Sequence, residues 1–297
     1  MSTSTFDDLL ARIDAGESLS AGEIAQLAAE PDILPLGMLA DTLRRRLHGT
    51  QVTYLRVATC ALDRPQTDTI PPQAREIRIT GAPQTLAAAV AAVQGAKSAG
   101  GRGVSGFSWS DVARLAGSEG APPGQIVKAL RDAGLDALAE IAMDAVSDLA
   151  DAVATLAHAG YERIRLTIDK APAADRTALI LKAAALQDEL GCIQALNPLP
   201  MTLQTFRPTT GYDDVKAVAL ARLAAPGIPS IQVDWLRYGP KLAQVALTFG
   251  ADDIDGVSAV DDAPEGRRRA PLEEVRRNIT AAGFSPVERD SRFTILS

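Results

Sequence analysis

Ser230-Ile231-Gln232-Val233-Asp234, then an apolar-periodic run over 241–249, then Gly250-Ala251-Asp252-Asp253-Ile254-Asp255-Gly256, decides the fold. Two short runs rich in β-branched residues flank a helix-length segment that stops at a glycine, where a left-handed residue ends a helix most cheaply. This spacing is that of a parallel strand–helix–strand unit. Working outward, the same alternation predicts strands over 52–57, 76–80, 103–107, 140–143, 163–168, 193–196, 230–233 and 253–257. Helices are predicted over 85–96, 123–133, 148–159, 175–189, 213–223 and 241–249, several halting at Gly160, Gly191 or Gly250. Eight strands are the number a closed barrel needs, so the chain reads as an α/β protein with a TIM-like (β/α) barrel.

One connection breaks the pattern. Residues 63–75 contain three prolines and are too short for a crossover helix, so the barrel is expected to be incomplete around its first crossover. Helices are predicted over 6–15, after Ser20 with Glu23 in capping-box spacing, and over 36–47, together covering one end of the barrel. A surface linker over 261–269, a closing helix over 272–282 and a short tail over 293–296 complete the chain. The expected organisation is a helical segment 1–50, a barrel 51–260 and a closing segment 261–297, all in one structural unit.

With 46% hydrophobic residues, 23% charged residues and a net charge of −7, the chain is an ordinary folded protein with no pull on nucleic acid. The runs Arg44-Arg45-Arg46 and Arg267-Arg268-Arg269 read as solvated faces. No apolar run approaches the ~20 residues that span a bilayer. Cys60 and Cys192 are the only cysteines, and the start of the chain has no signal-peptide pattern, so a cytoplasmic location is expected.

Chemistry-bearing motifs are sparse. His48 and His158 fall on separate helices and form no dyad with a nucleophile, and no cysteine pair has metal-ligand spacing, so no metal site is expected. Cys192 reads as a small buried hydrophobe. The turn Gly100-Gly101-Arg102-Gly103 reads as a helix-to-strand connection. Asp253 and Asp255, two apart on a strand, face one side, either as a polar rim or as ligand-facing acids. Barrel sites lie at the C-terminal ends of strands, which nominates Thr80, Gly81, Ser108, Asp169, Asn197, Asp234, Trp235 and Asp255 as ligand-binding candidates. None of them stands out as a catalytic residue.

Longer strings are more specific. The segment Ser230 to Gln244, containing Asp234-Trp235-Leu236-Arg237-Tyr238-Gly239-Pro240, and its continuation Gly250 to Gly256 resemble the last two strand–helix units of the radical S-adenosylmethionine (SAM) enzymes of futalosine-dependent menaquinone synthesis, aminofutalosine synthase and cyclic dehypoxanthinyl futalosine synthase. Leu186-Gln187-Asp188-Glu189-Leu190-Gly191 with Asn197-Pro198-Leu199-Pro200 resembles the sixth unit of that family. Ala282-Gly283-Phe284-Ser285-Pro286-Val287-Glu288-Arg289-Asp290 is similar to its closing helix and tail, and His48-Gly49-Thr50-Gln51-Val52-Thr53-Tyr54 resembles its entry into the first strand.

In that family the first strand leads into a C-x3-C-x2-C loop whose thiolates hold a [4Fe–4S] cluster that cleaves SAM. Here the chain runs Leu55-Arg56-Val57-Ala58-Thr59-Cys60-Ala61-Leu62 into the proline-rich piece. One thiol there cannot replace three. Where the resemblance implies two glycines near SAM, Thr80-Gly81-Ala82-Pro83 has one. No cofactor is therefore expected: the cluster lacks its ligands, and S-adenosylmethionine loses its anchor, though its binding is left open. Two functions follow. One is a non-catalytic partner of a radical SAM enzyme of menaquinone biosynthesis, or a self-dimer or otherwise repurposed homologue, docking through apolar residues of the 36–47 helix. The alternative is a cluster-free enzyme or binder that handles an aromatic carboxylate or nucleoside by polar chemistry at the barrel top.

Overall fold

A computed structural model describes residues 3–63, 70–100, 102–202, 210–260 and 271–296. Eight parallel strands form the barrel wall: β1 (Gln51–Ala61), β2 (Glu76–Thr80), β3 (Gly103–Ser108), β4 (Ala137–Glu140), β5 (Ile164–Ile168), β6 (Ile193–Pro200), β7 (Ser230–Asp234) and β8 (Asp253–Ser258). Their order is β4-β3-β2-β1-β8-β7-β6-β5. The ring closes between β4 and β5 through a single bridge, Ala142 to Thr167. There Thr167 donates its N–H to Ile141 O at 2.9 Å and accepts from Met143 N at 2.9 Å. This seam, just past β4, is where 140–143 was expected to be the strand; the strand proper begins three residues earlier.

Among the described residues no helix intervenes between β1 and β2, in keeping with the proline-rich crossover, most of which (64–69) lies outside them. The two strands nevertheless pair from Val57–Glu76 to Ala61–Thr80. A ninth strand, β9 (Ser285–Glu288), pairs in parallel with the first half of β1; it was not foreseen, because 285–288 looked like tail. The linker 261–269 also lies outside the described residues.

Three N-terminal helices, α1 (Thr3–Ala15), α2 (Ala21–Ala29) and α3 (Ile33–His48), precede the barrel. Of these, α2 packs against α8 (Ala173–Leu190) and α9 (Gly211–Ala224), α3 against α9, and α1 against α3. The capping box at Ser20 is formed, with Ser20 N donating to Glu23 Oε2 at 2.8 Å. Close approach explains Gly37: a Cβ there would sit 2.8 Å from the ring of Phe249.

The remaining wall helices are α4 (Leu86–Ser98), α5 (Trp109–Glu119), α6 (Pro123–Ala133), α7 (Leu149–His158), α10 (Trp235–Leu247) and α11 (Pro271–Ala281). The α5 helix was missed because its start, Ser108, doubles as the end of a strand; the Ser108/Asp111 capping box is what begins it. Outward-facing strand residues such as Ile77, Ile79, Leu166, Ile231 and Ile254 are fully or almost fully buried under these helices in one apolar core. Inward-facing residues are of another kind, and they build the site.

Candidate functional site

Strand alternation sends Glu76 and Arg78 of β2, Arg165 of β5, and Asp253 and Asp255 of β8 into the barrel lumen. Charges buried here persist only if paired. Arg78 donates to Glu76 Oε1 (2.6 Å) and Asp255 Oδ1 (2.9 Å), and Arg165 Nη2 donates to Glu76 Oε2 (2.8 Å). Ser105 Oγ adds a bond to Glu76 Oε1 at 2.6 Å. Two cations and two carboxylates from β2, β5 and β8 thus make a ring across the lumen. Burial alone would raise the pKa of Glu76 and of Asp255, but the neighbouring arginines outweigh it and hold both carboxyls below their ordinary range.

Asp253 forms a second set. Arg289, just after β9, grips it with two parallel bonds (2.6 and 2.7 Å), and Gln232 Nε2 donates to it at 2.7 Å. Asp253 and Arg289 are both essentially inaccessible to solvent. Asp253 and Asp255 therefore share a face as the spacing implied, and it is the inner face.

Above the ring opens a cavity of about 550 Å³. Of the eight residues singled out from sequence, Thr80, Gly81, Ser108, Asn197, Asp234 and Asp255 line it. The other two are elsewhere. Trp235 is buried in the core at the first turn of α10, and Asp169 is in the loop after β5, where it accepts from Thr202 Oγ1 at 2.6 Å. Local structure also employs several of the six. Ser108 and Asp234 are the N-caps of α5 and α10, the latter accepting from Arg237 N at 2.9 Å, and Asn197 Oδ1 accepts from Leu199 N at 3.1 Å. Gly81 has φ +100°, a backbone setting that favours glycine.

The cavity wall also holds Arg78, Glu140, Arg165, Thr167, Gln232 and Arg237, none of which the sequence reading had singled out. The signal was available in Glu76-Ile77-Arg78-Ile79 and Arg165-Leu166-Thr167-Ile168, where charged or polar residues alternate with apolar ones. Such alternation ordinarily means a solvent face; in a barrel strand, whose outer face lies under helices, it means the lumen.

Two polar atoms here have no partner. Arg165 Nη1 and Thr167 Oγ1 are buried without a hydrogen bond; Arg165 Nη1 is 3.6 Å from Asp255 Oδ2, beyond hydrogen-bond reach. Across the mouth, burial raises the pKa of Asp234, with nearby Asp255 adding to the effect, and burial likewise raises that of Glu140. Phe107, at the turn into α5, takes φ +56°, a left-handed setting rare for an aromatic residue.

Cys60 lies near the C-terminal end of β1, while Cys192 immediately precedes β6 and so lies at the opposite rim. The described residues contain no cluster of three metal-ligating side chains. The thiols of this chain do not supply the donor set that a three-thiolate cluster requires.

The architecture is that of a parallel (β/α) barrel with a polar mouth. Methylornithine synthase (PylB) superposes on it with a TM-score of 0.68, covering 96% of this chain and 98% of that one at 16% identity, a likeness of fold. Sequence comparison goes further. Residues 199–297 match the family described as the CofH/MqnC C-terminal region. The chain is 30% identical to aminodeoxyfutalosine synthase of Thermus thermophilus over 220 residues, 62% of this chain and 56% of that protein. It is 36% identical over 130 residues to 5-amino-6-(D-ribitylamino)uracil–L-tyrosine 4-hydroxyphenyl transferase of Archaeoglobus fulgidus, 39% of this chain and 38% of that one. The chain is thus similar, over the region around Asp234 and Asp255 and beyond it, to the CofH/MqnC C-terminal family and to these two enzymes, and it spans only about two fifths to just over half of their length. No helix of the described residues is long and apolar enough to cross a membrane.

Proposed function

We propose that this chain is a cluster-free member of the radical SAM-like barrels that binds a small polar molecule carrying a carboxylate at its mouth, with Arg165 as the anchoring cation. The observation that carries this reading is the pair of unpartnered buried groups, Arg165 Nη1 and Thr167 Oγ1, on the wall of a 550 Å³ cavity. Leaving a buried polar group unsatisfied costs about 1–3 kcal/mol, so folded proteins seldom keep one without a use. A carboxylate or comparable anion would satisfy Arg165, and a ligand hydroxyl or amide would satisfy Thr167. The cavity volume suits an aromatic carboxylate or a nucleoside. Asp234 and Glu140, poised above the usual carboxylate range, are the groups available for proton transfer if the bound molecule is also transformed.

The test is thermal denaturation with 4-hydroxybenzoate, adenosine or S-adenosylmethionine, comparing the natural chain with Arg165→Gln, alongside anaerobic iron and sulfide reconstitution. Stabilisation by an anionic probe that vanishes in Arg165→Gln supports the reading. A stable cluster, or no stabilisation by any of the three, overturns it.

A second reading, a non-catalytic partner or self-dimer, has one observation in its favour. On α3, Leu36, Leu39 and Leu43 are buried, but Leu34 and Met38, one turn apart, are largely exposed. Sedimentation of Leu34→Glu/Met38→Glu beside the natural chain tests the self-dimer: a dimer lost on substitution supports it, and a monomer throughout excludes it.

A further inference from the structure

The barrel has a second cavity of about 520 Å³ at its other rim, where chain segments enter β2 and β3 and the residues after β9 fold back. Four cationic side chains line it: Arg75, Lys97, Arg102 and Arg292. Their charge is under-compensated. Arg75 shares Glu288 with Arg56, bonding to Oε1 at 2.7 Å while Arg56 bonds to the same oxygen at 2.9 Å. Lys97 shares Asp136 with Arg131, at 3.1 and 3.7 Å.

Arg102 meets no carboxylate among the described residues. Its Nε, Nη2 and Nη1 donate to the carbonyls of Ala74 (2.7 Å), Pro72 (3.0 Å) and Gly100 (3.2 Å). A guanidinium has five N–H donors, so this arrangement fixes the cation and leaves two donors without a partner among the described residues. The exposed Arg292 side chain likewise has no ion-pair partner among the described residues. The one lining acid, Asp290, accepts instead from the backbone N–H groups of Arg292 and Thr294 at 2.8 and 2.9 Å. Among the described residues that line the cavity, four cations accompany one carboxylate, Asp290, on a chain whose overall charge is −7.

We infer that this rim cavity is an anion site for a small ligand bearing a phosphate or diphosphate group, separate from the mouth. A preformed concavity, a cation held in place by carbonyls and a local positive surplus are what recognition of a compact multiply charged anion needs. Planar guanidinium donors suit phosphate oxygens, which accept two parallel bonds.

The test is calorimetric titration of the full chain with inorganic pyrophosphate at two salt concentrations. Saturable binding that weakens with salt is expected, and Arg292→Glu combined with Lys97→Glu should weaken it by at least about tenfold, the loss of one charge-assisted bond. Arg102→Gln should do the same, and if that variant fails to fold the surface pair still decides. Arg165→Met, at the mouth, should bind pyrophosphate like the natural chain, so failure at one site is distinguishable from failure at the other. Absence of saturable binding overturns the inference, as does equal weakening by Lys128→Glu, an exposed charge reversal on α6.

Discussion

The two ionic assemblies in the lumen come from different parts of the chain. Asp253, Arg289 and Gln232 all belong to the C-terminal third that matches the CofH/MqnC region, and with Thr53 of β1, whose hydroxyl donates to Asp253 Oδ1 at 2.5 Å, they occupy both carboxylate oxygens. The ring above draws Glu76, Arg78 and Arg165 from the first two thirds, joins them to Asp255 from the last, and leaves Arg165 Nη1 unsatisfied. The closed assembly works as scaffold. The open one forms the floor of a cavity, and its incompleteness is what makes it a candidate site. The part of the chain outside the CofH/MqnC match is thus also the part that supplies the mouth with its unused donor.

The sharpest way to break that comparison is to remove one cation from each assembly. Arg289→Met strips Asp253 of its two parallel bonds in a fully buried setting, and leaving a buried carboxylate without its cation typically costs about 3–5 kcal/mol. Arg165→Met leaves Glu76 still held by Arg78 and Ser105, so its cost should be smaller, roughly 1–3 kcal/mol. Urea denaturation of both variants measures the difference. A larger loss for Arg165→Met would mean that the ring, and not the Asp253 pair, holds the barrel together.

Acid should reveal the ring next. Glu76 and Asp255 have folded pKa values below their unfolded ones, so the stability they confer is present above the ordinary carboxylate values of about 4 and is lost as pH falls through the folded values. Asp234 and Glu140 are shifted the other way, and their deprotonation adds negative charge to the wall of the cavity that Arg165 also lines. Affinity for a carboxylate ligand should accordingly decline as pH rises through their elevated values. Calorimetry across pH 4–8 distinguishes this from a cationic ligand, whose affinity would rise instead.

A smaller effect is expected at Gly256. It lies at φ +73°, and an added Cβ would approach Asp234 Oδ1 to 3.2 Å. Gly256→Ala should lose about 1–2 kcal/mol through backbone strain and disturb the α10 cap that Asp234 provides, read as a lowered Tm with weakened ligand stabilisation. An unchanged Tm would show that the β8 irregularity opposite β1 tolerates either backbone state, and that the C-terminal third is less constrained than its ion pair suggests.

How much of this could be read from sequence divides along physical lines. Strand and helix order was legible because outward-facing Ile77, Leu166, Ile231 and Ile254 keep an apolar period under the helices. Rim residues such as Thr80, Ser108, Asn197 and Asp234 were found from position alone, since barrel topology puts strand ends at the mouth. Arg78, Arg165 and Glu76 were not, because their cross-barrel partners are 89 and 177 residues away in sequence, on strands not adjacent to their own, and a local pattern cannot show that a charged face is turned inward. β9 was missed for a related reason: Ser285–Glu288 is too short to announce itself, and only pairing with β1 makes it a strand.

The smallest expected effect concerns the cysteines, and it bears on the comparison most directly. Cys60 and Cys192 are both half-buried, hold no disulfide and sit at opposite rims, so Cys60→Ser and Cys192→Ser should each change stability by no more than about 1 kcal/mol. Ligand stabilisation at the mouth should be unaffected, since neither thiol lines that cavity. Iron and sulfide treatment should leave the double variant and the natural chain with the same absorption spectrum. If the natural chain instead gains a thiolate–iron band that the double variant lacks, two chains must be pooling their thiols, because one chain cannot bring Cys60 and Cys192 together across the length of the barrel. The first two thirds of the chain would then have kept a metal function by assembly, and the unpaired Arg165 would need an explanation other than a carboxylate ligand.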